Sequence, residues 1–272
     1  MSKIAIIQSV YGNDKPEYLS LAINSILRQT YSDFKLYLGI DGPIGSELSE
    51  VIYQLTDERI IVISNNENKG LANILNDLLE ECVKHEYEFI ARMDSDDISC
   101  IDRLEKQINY MENHPDVDVL GGAINEIDEN GNSLNHIVNY PCSSEECRKF
   151  FSMRNPVAHP TVLFRKRFFE IIGMFYPTNF ARNEDTELWL QAYVHGAKIV
   201  NLPDVLLHFR VTDDMFKQRR NGHEFAKSQL MLRKIINKKL GYGIMSSIYA
   251  YGMYYLMVAP CWLRKIAYKV LR

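Results

Sequence analysis

The chain opens on a short, nearly unbroken apolar run, Ile4 to Val10. A run without polar alternation predicts a strand buried on both faces. Pro16 then starts a stripe of Leu19, Ile23, Ile26 and Leu27, the spacing of a helix with proline in its first turn. Phe34 to Ile40 reads as a second strand, closed by the turn Asp41-Gly42-Pro43. A short helix and a strand at Ile60 to Ile63 follow. Leu71, Ile74, Leu75, Leu78, Leu79 and Cys82 keep i, i+3, i+4 spacing and predict another helix. A strand from Glu88 to Met93, the acidic run Asp94-Ser95-Asp96-Asp97 and a helix from Asp102 to Asn113 complete the first half. Regular strand–helix alternation implies a parallel, doubly wound α/β sheet.

The second half alternates less regularly. Val117 to Ala123 reads as a strand ending at Gly121-Gly122, and Asp128-Glu129-Asn130-Gly131-Asn132 as a hairpin turn. Thr161 to Phe164 reads as a strand, and Glu184 to His195 and Lys217 to Lys239 as helices. No repeat or linker precedes residue 215. The chain divides into a body, residues 1–215, and a helical extension, residues 216–272.

Composition changes the picture in one place. At 272 residues, 46% apolar and 24% charged, the chain is globular rather than disordered. The net charge of −4 conceals an asymmetry: residues 215–272 hold 12 Lys/Arg and one acid, Glu224, whereas residues 1–214 hold 19 Lys/Arg and 34 Asp/Glu. An acidic body with a basic tail argues against nucleic acid as partner. Leu240 to Leu263 is 24 residues without a charge, with five tyrosines and basic flanks at Lys238, Lys239, Arg264 and Lys265. Three readings fit it: a helix or helical hairpin lying at a membrane interface, a membrane span, or a segment packed on the body. Five cysteines without a CxxC pair predict buried free thiols in a reducing compartment. The N-terminus shows no secretory pattern, which predicts a cytoplasmic body.

Two acidic motifs carry the candidate chemistry. Arg92-Met93-Asp94-Ser95-Asp96-Asp97 lies beyond a strand end, where open α/β sheets bind ligands. Asp94 and Asp96 on a tight turn can hold a hard divalent cation, which in turn neutralises a diphosphate. The structural alternative is that Asp97 caps the next helix and the other acids are solvated. Asn183-Glu184-Asp185 begins a helix, where two acids favour the macrodipole; the functional alternative is a general base. Trp189 fits a sugar-stacking residue or a core residue equally. His159 in His159-Pro160-Thr161 reads as buried and hydrogen-bonded, and His208-Phe209-Arg210 as a cation supply for phosphates or a solvated basic face.

Taken in order, Ser9-Val10-Tyr11, Ser25-Ile26-Leu27-Arg28-Gln29-Thr30, Asp41-Gly42-Pro43, Asn68-Lys69-Gly70-Leu71, the Arg92–Asp97 segment, Arg103-Leu104-Glu105-Lys106-Gln107, His159-Pro160-Thr161 and Asn183-Glu184-Asp185 resemble the inverting family 2 glycosyltransferases. The similarity is to bacterial members that build O-antigen and exopolysaccharide units, the amylovoran-synthesis type included, and covers residues 3 to 220. It implies a GT-A fold, a mostly parallel central sheet flanked by helices, to which the uncharged stretch with basic flanks adds the expectation of a helical, membrane-associating C-terminal extension. It also implies Mn²⁺ or Mg²⁺ at Asp94 and Asp96, with Asp96 the direct ligand. Donor contacts map to Ser9, Tyr11, Asp41, Asn68, Arg92 and Asp94, and the catalytic base to Asp185. Pro43 stands where the family carries an acid with Gly-Ser, and proline removes a backbone donor from that turn.

The expected reaction is transfer of a hexose or N-acetylhexosamine from a UDP-linked donor to a glycan on polyprenyl diphosphate, with the protein peripheral at the inner membrane face. Two rival classes are a nucleotidyltransferase and a non-catalytic membrane-surface module. Tyr11-Gly12-Asn13-Asp14 lacks the Gly-rich basic phosphate loop of the first, and the acids at both motifs weigh against the second. A DxD phosphohydrolase would carry its acids after the first strand, not the fourth.

Overall fold

The computed structural model describes residues 2–173, 175–180, 182–212, 223–260 and 263. Strand β1 (Ile4–Tyr11) is followed by α1 (Pro16–Leu27), β2 (Phe34–Asp41), α2 (Ser46–Tyr53), β3 (Ile60–Asn65), α3 (Leu71–Val83) and β4 (Phe89–Met93). The order β3-β2-β1-β4 is parallel throughout, as the alternation predicted. Along β1, Ile4 and Ile6 face a core with Leu19 and Ile23 of α1, while Ala5 and Ile7 face the opposite core with Leu75 and Leu78 of α3. Burial on both faces explains why the strand reads as a continuous apolar run.

Beyond β4, where the strand–helix alternation in the sequence also loses its regularity, the sheet turns mixed. β5 (Ile98–Ser99), α4 (Arg103–Asn113), β6 (Val119–Ile127), β7 (Ser133–Val138), α5 (Ser144–Phe150), a 3-10 turn at His159–Thr161, β8 (Leu163–Arg165), α6 (Arg167–Ile172), α7 (Glu184–Val194) and β9 (Ile199–Arg210) follow. The sheet continues β4-β8-β6-β9-β5, and β7 pairs with β6. β8 is antiparallel to β4 and β6, and β9 is parallel to β6. Residues 161–164 divide between the 3-10 turn and β8. β6 runs past the two glycines to Ile127, because β9 pairs along its length.

The extension begins with α8 (His223–Leu240), and α9 (Ile244–Val258) folds back on it. The expected helix at 217–239 is therefore seen from His223; its first residues, like Arg219, Arg220, Trp262 and Arg264 onward, lie outside the described residues. Leu232 and Ile236 of α8 join the core cluster of Leu188 and Trp189. Tyr242 donates its hydroxyl to the Arg148 carbonyl, and Ser246 Oγ donates to Ser152 O at 2.6 Å. Among the described residues no helix is long and apolar enough to cross a membrane. Cys82 and Cys147 are buried, as predicted, but Cys100 is half-buried and Cys142 exposed.

Candidate active site

The parallel register brings the first set of motif residues to one edge. Tyr11 pairs with Asp41, Ser9 with Gly39, and Gln8 with Met93, so the ends of β1, β2 and β4 lie side by side. The Asp41 carboxylate is buried and accepts from the backbone N–H groups of Lys69 (2.7 Å) and Gly70 (3.0 Å), while Asn68 Nδ2 donates to Asp41 O at 3.3 Å. Asp41 thus ties the start of α3 to the end of β2. Gly42 allows the approach: it has φ +84°, and a Cβ there would lie 2.5 Å from the Asn68 nitrogen. Asp14 joins the β1 loop to the acidic run, accepting from Tyr11 N at 3.2 Å and Ser95 Oγ at 2.7 Å.

Asp94, Asp96 and Asp97 place one ligand atom each within 4.8 Å of one another. Asp94 is clamped by the buried Arg92, whose Nη1 donates to Oδ2 at 2.7 Å while Nη2 pairs with Oδ1. Gln8 Nε2 fixes the Asp94 carbonyl at 3.0 Å. Behind Arg92 lies Arg103, fully buried, which donates through Nη2 to the Arg92 carbonyl at 2.8 Å; burial pulls its pKa down to about 10. Asp97 is not a helix cap. Asp102 precedes α4, and Asp97 Oδ1 instead accepts from Arg210 N at 2.8 Å. Its Oδ2 is buried without a partner. Burial, then the charges of Asp96 and Asp94, push its carboxyl well above the usual range. Three crowded carboxylates with an orphaned oxygen are a donor set that suits a hard divalent cation.

Arg210 on β9 takes a part that the sequence did not show. Its side chain is buried, donates to the carbonyls of Asp96 (2.8 Å), Asp128 and Glu129 (3.0 Å each), and stacks over the Tyr18 ring at 4.1 Å. It pins the acidic run to the β6–β7 turn and is not a solvated basic residue. The signal was hidden because placing Arg210 there requires knowing that β9 exists.

The second motif approaches from α7. Asp185 Oδ2 accepts from Asn155 Nδ2 at 2.8 Å, and its Oδ1 from Thr186 N at 2.6 Å and Thr186 Oγ1 at 3.2 Å. Glu184 is held differently: burial first, then the Asp185 charge, raise its carboxyl to about 7, with Asp94 adding and Arg92 opposing. Arg92 and Asp94 are therefore within electrostatic range of Glu184, and the same four groups act on the buried Tyr176. The Tyr176 hydroxyl bonds His159 Nε2 at 2.8 Å, and burial with the Arg92 charge holds His159 well below its usual pKa, neutral at pH 7. His159 is buried and hydrogen-bonded as its motif suggested. Trp189 is fully buried against Phe164 and His159, a core residue rather than a sugar platform.

The extension reaches this motif. Asn183 is fully buried; it donates to Ser228 Oγ at 3.5 Å and accepts from Gln229 Nε2, both on α8.

The family described as Glycosyl transferase family 2 matches residues 6–172, a span that includes the acidic run and stops short of Glu184-Asp185. Among curated relatives, the amylovoran biosynthesis glycosyltransferase AmsE of Erwinia amylovora is 34% identical over 232 residues, covering 85% of this chain and 84% of its own. An Escherichia coli UDP-Gal:alpha-D-GlcNAc-diphosphoundecaprenol beta-1,3-galactosyltransferase is 30% identical, covering 84% and 81%. Among solved structures, Staphylococcus aureus TarS 1–349 in complex with UDP-GlcNAc superposes with TM-score 0.64 at 16% identity, covering 94% of this chain and 82% of that one. A Pyrobaculum calidifontis mannosyltransferase in complex with GDP-Man and Mn²⁺ gives TM-score 0.63 at 13% identity, covering 93% and 74%. The fold is that of GT-A glycosyltransferases, and the chain belongs to glycosyl transferase family 2.

Proposed function

We propose that this enzyme is a metal-dependent inverting glycosyltransferase. It moves a hexose or N-acetylhexosamine from a UDP-linked donor to a glycan on polyprenyl diphosphate in surface-polysaccharide (O-antigen or exopolysaccharide) synthesis. One observation carries the reading. Asp94, in the acidic run, and Glu184-Asp185, at the start of α7, lie far apart in sequence yet act electrostatically on the same buried group, Tyr176, together with Arg92. That juxtaposition supplies a place for a diphosphate and a carboxylate to face it. The names of the relatives support the finer terms: a diphosphoundecaprenol-linked acceptor and a UDP donor for the E. coli enzyme, and Mn²⁺ with a nucleotide sugar for the mannosyltransferase.

In this reading Ser9, Tyr11, Asp41, Asn68, Arg92 and Asp94 form the donor side. Asp94 and Asp96 hold Mn²⁺ or Mg²⁺, with Asp97 behind them; such a cation, when bound, offsets negative charge on a leaving diphosphate. Asp185 takes the proton from the acceptor hydroxyl, whose oxygen bonds the anomeric carbon as the bond to UDP breaks on the opposite face. Asn155 and Thr186 hold that carboxylate in one orientation, and neutral His159 adds no positive charge that would lower its basicity. Residues 1–215 form the catalytic body, and residues 216–272 bring it to the cytoplasmic face of the membrane, where the acceptor is confined. The test is a screen of nucleotide sugars against a polyprenyl-diphosphate-linked sugar with Mn²⁺, Mg²⁺ or EDTA. Transfer from a UDP-sugar that EDTA abolishes is expected. Transfer undiminished by EDTA overturns the metal assignment, and transfer only from another nucleotide class overturns the donor.

A further inference from the structure

The C-terminal hairpin has two faces with opposite fates. On α8, Ala226, Leu232 and Ile236 are buried, whereas Lys227, Met231, Lys234 and Lys238 are exposed at i, i+4, i+7 and i+11, a single stripe. On α9, Ser246 and Ala250 are buried, whereas Ile244, Ile248, Tyr251, Tyr255 and Val258 are exposed along one stripe, Ile244 to 76% and Tyr255 to 66%. The stripes adjoin: Lys234 Nζ lies 4.8 Å from the centre of the Tyr251 ring. A lysine row therefore runs beside a row of aliphatic and tyrosine side chains that contains no charge.

Geometry and charge narrow the occupant. α9 has 15 residues, about 22 Å of helix against a hydrocarbon core of roughly 30 Å, so it lies along a bilayer rather than through it. A second copy docked by a two-fold axis would set the lysine row against itself or against the uncharged row, in either case without an anion to meet it. Tyrosine suits headgroup depth, lysine reaches lipid phosphates, and isoleucine and valine enter the acyl boundary.

We infer that this face docks on an anionic lipid bilayer, and that α8 couples the docked surface to the active site. The side of α8 away from the lysines carries Ser228 and Gln229, which hold Asn183 directly before Glu184-Asp185. The helix that touches lipid thereby fixes how the acceptor side is presented to the membrane. The inference rests on the membrane reading above and goes further by naming the residues and the lipid class.

Flotation of the full chain with vesicles of phosphatidylcholine, with or without phosphatidylglycerol, tests it. Binding is expected only with phosphatidylglycerol and is weakened by salt. A triple variant, Lys227→Glu with Lys234→Glu and Lys238→Glu, should bind more weakly by on the order of a hundredfold or more. Ile248→Ser with Tyr255→Ser should lose binding with its circular dichroism and unfolding midpoint unchanged. If the unaltered chain floats and both variants float equally well, another segment binds the membrane: the inference falls and the membrane reading stands. If the unaltered chain floats with no vesicle, both fall. If light scattering then shows a dimer that Ile248→Ser/Tyr255→Ser dissolves, the occupant is a second copy.

Discussion

Asp94 and Glu184 come within electrostatic range of one another from two halves of the molecule, and their surroundings differ in kind. Asp94 ends the parallel half, and both its carboxylate oxygens are paired with the buried guanidinium of Arg92, whose backbone carbonyl accepts from Arg103. Glu184 opens α7 in the mixed half, and its carboxyl is raised to about 7 by burial and by the Asp185 charge. The first arrangement fixes a carboxylate in place through two contacts with one guanidinium. The second leaves a carboxyl that changes protonation near neutrality. The base proposed at Asp185 is the neighbour of this second carboxyl, on the side where protonation changes.

The largest expected break falls on the fixed side. Asp96→Ala should abolish Mn²⁺-dependent UDP binding and lower transfer by about 10³-fold or more, because it removes a ligand from a doubly charged ion. Calorimetric titration of UDP with and without Mn²⁺ checks it: unchanged metal dependence would remove Asp96 from the site.

Asp185→Asn tests the other side. The amide keeps the size of the carboxylate and can still accept from Thr186, but it cannot take a proton at neutral pH. A loss of about 10²–10⁴-fold in kcat is expected with UDP and metal affinity retained. Near-normal transfer by this variant would move the base role to another group, with Glu184 the adjacent candidate.

Arg210→Gln should have a smaller effect. It removes contacts to three carbonyls that hold the acidic run to the β6–β7 turn, while the ligands remain. Apparent Mn²⁺ affinity should fall about 10–100-fold, the range for residues that orient metal ligands. Titration of transfer rate against Mn²⁺ reads it: a rate restored by excess Mn²⁺ supports positioning, whereas a rate that no Mn²⁺ concentration restores makes the loss structural.

That the contacts of Arg210 surfaced only in the structure shows how legibility divides along the same line. Strands β1 to β4 are buried on both faces and linked by amphipathic helices, so local pattern and final fold agree. The mixed half is assembled by long-range pairing. β9 is the case in point: Pro203 and Asp204 interrupt it, and a proline argues against a strand read from sequence. In the sheet the register passes from Gly122↔Leu202 to Ala123↔Val205, so the pair bulges out and the ladder resumes. With β9 unread, the place of Arg210 could not follow. Asp97 was visible as an acid, but its orphaned oxygen depends on β9 as well. The hold of α8 on Asn183 depends on helix packing that no residue in either segment announces.

Glu184 gives the smallest effect and the finest separation of the two halves. Its carboxyl titrates near 7 in the fold against an ordinary value of 4.5. Between those values the folded state binds more protons than the unfolded one, so this group makes stability fall as pH rises from about 4.5 to 7. Above 7 the full penalty of a buried charge beside Asp185 remains. Glu184→Gln carries no charge at any pH and removes that slope. In EDTA, urea unfolding should show the variant nearly equal to the parent at pH 5 and more stable by on the order of 2 kcal/mol at pH 8. The corresponding exchange on the fixed side, Asp94→Asn, should instead weaken the fold at pH 8, because a carboxylate paired with buried Arg92 stabilises in its charged form and its loss leaves the guanidinium uncompensated. Opposite signs from the two acids would establish that the fold ties one carboxylate to a guanidinium and buries the other beside a like charge. The same sign from both would mean that the fold treats them alike, and that the division between a binding side and a proton-handling side does not hold.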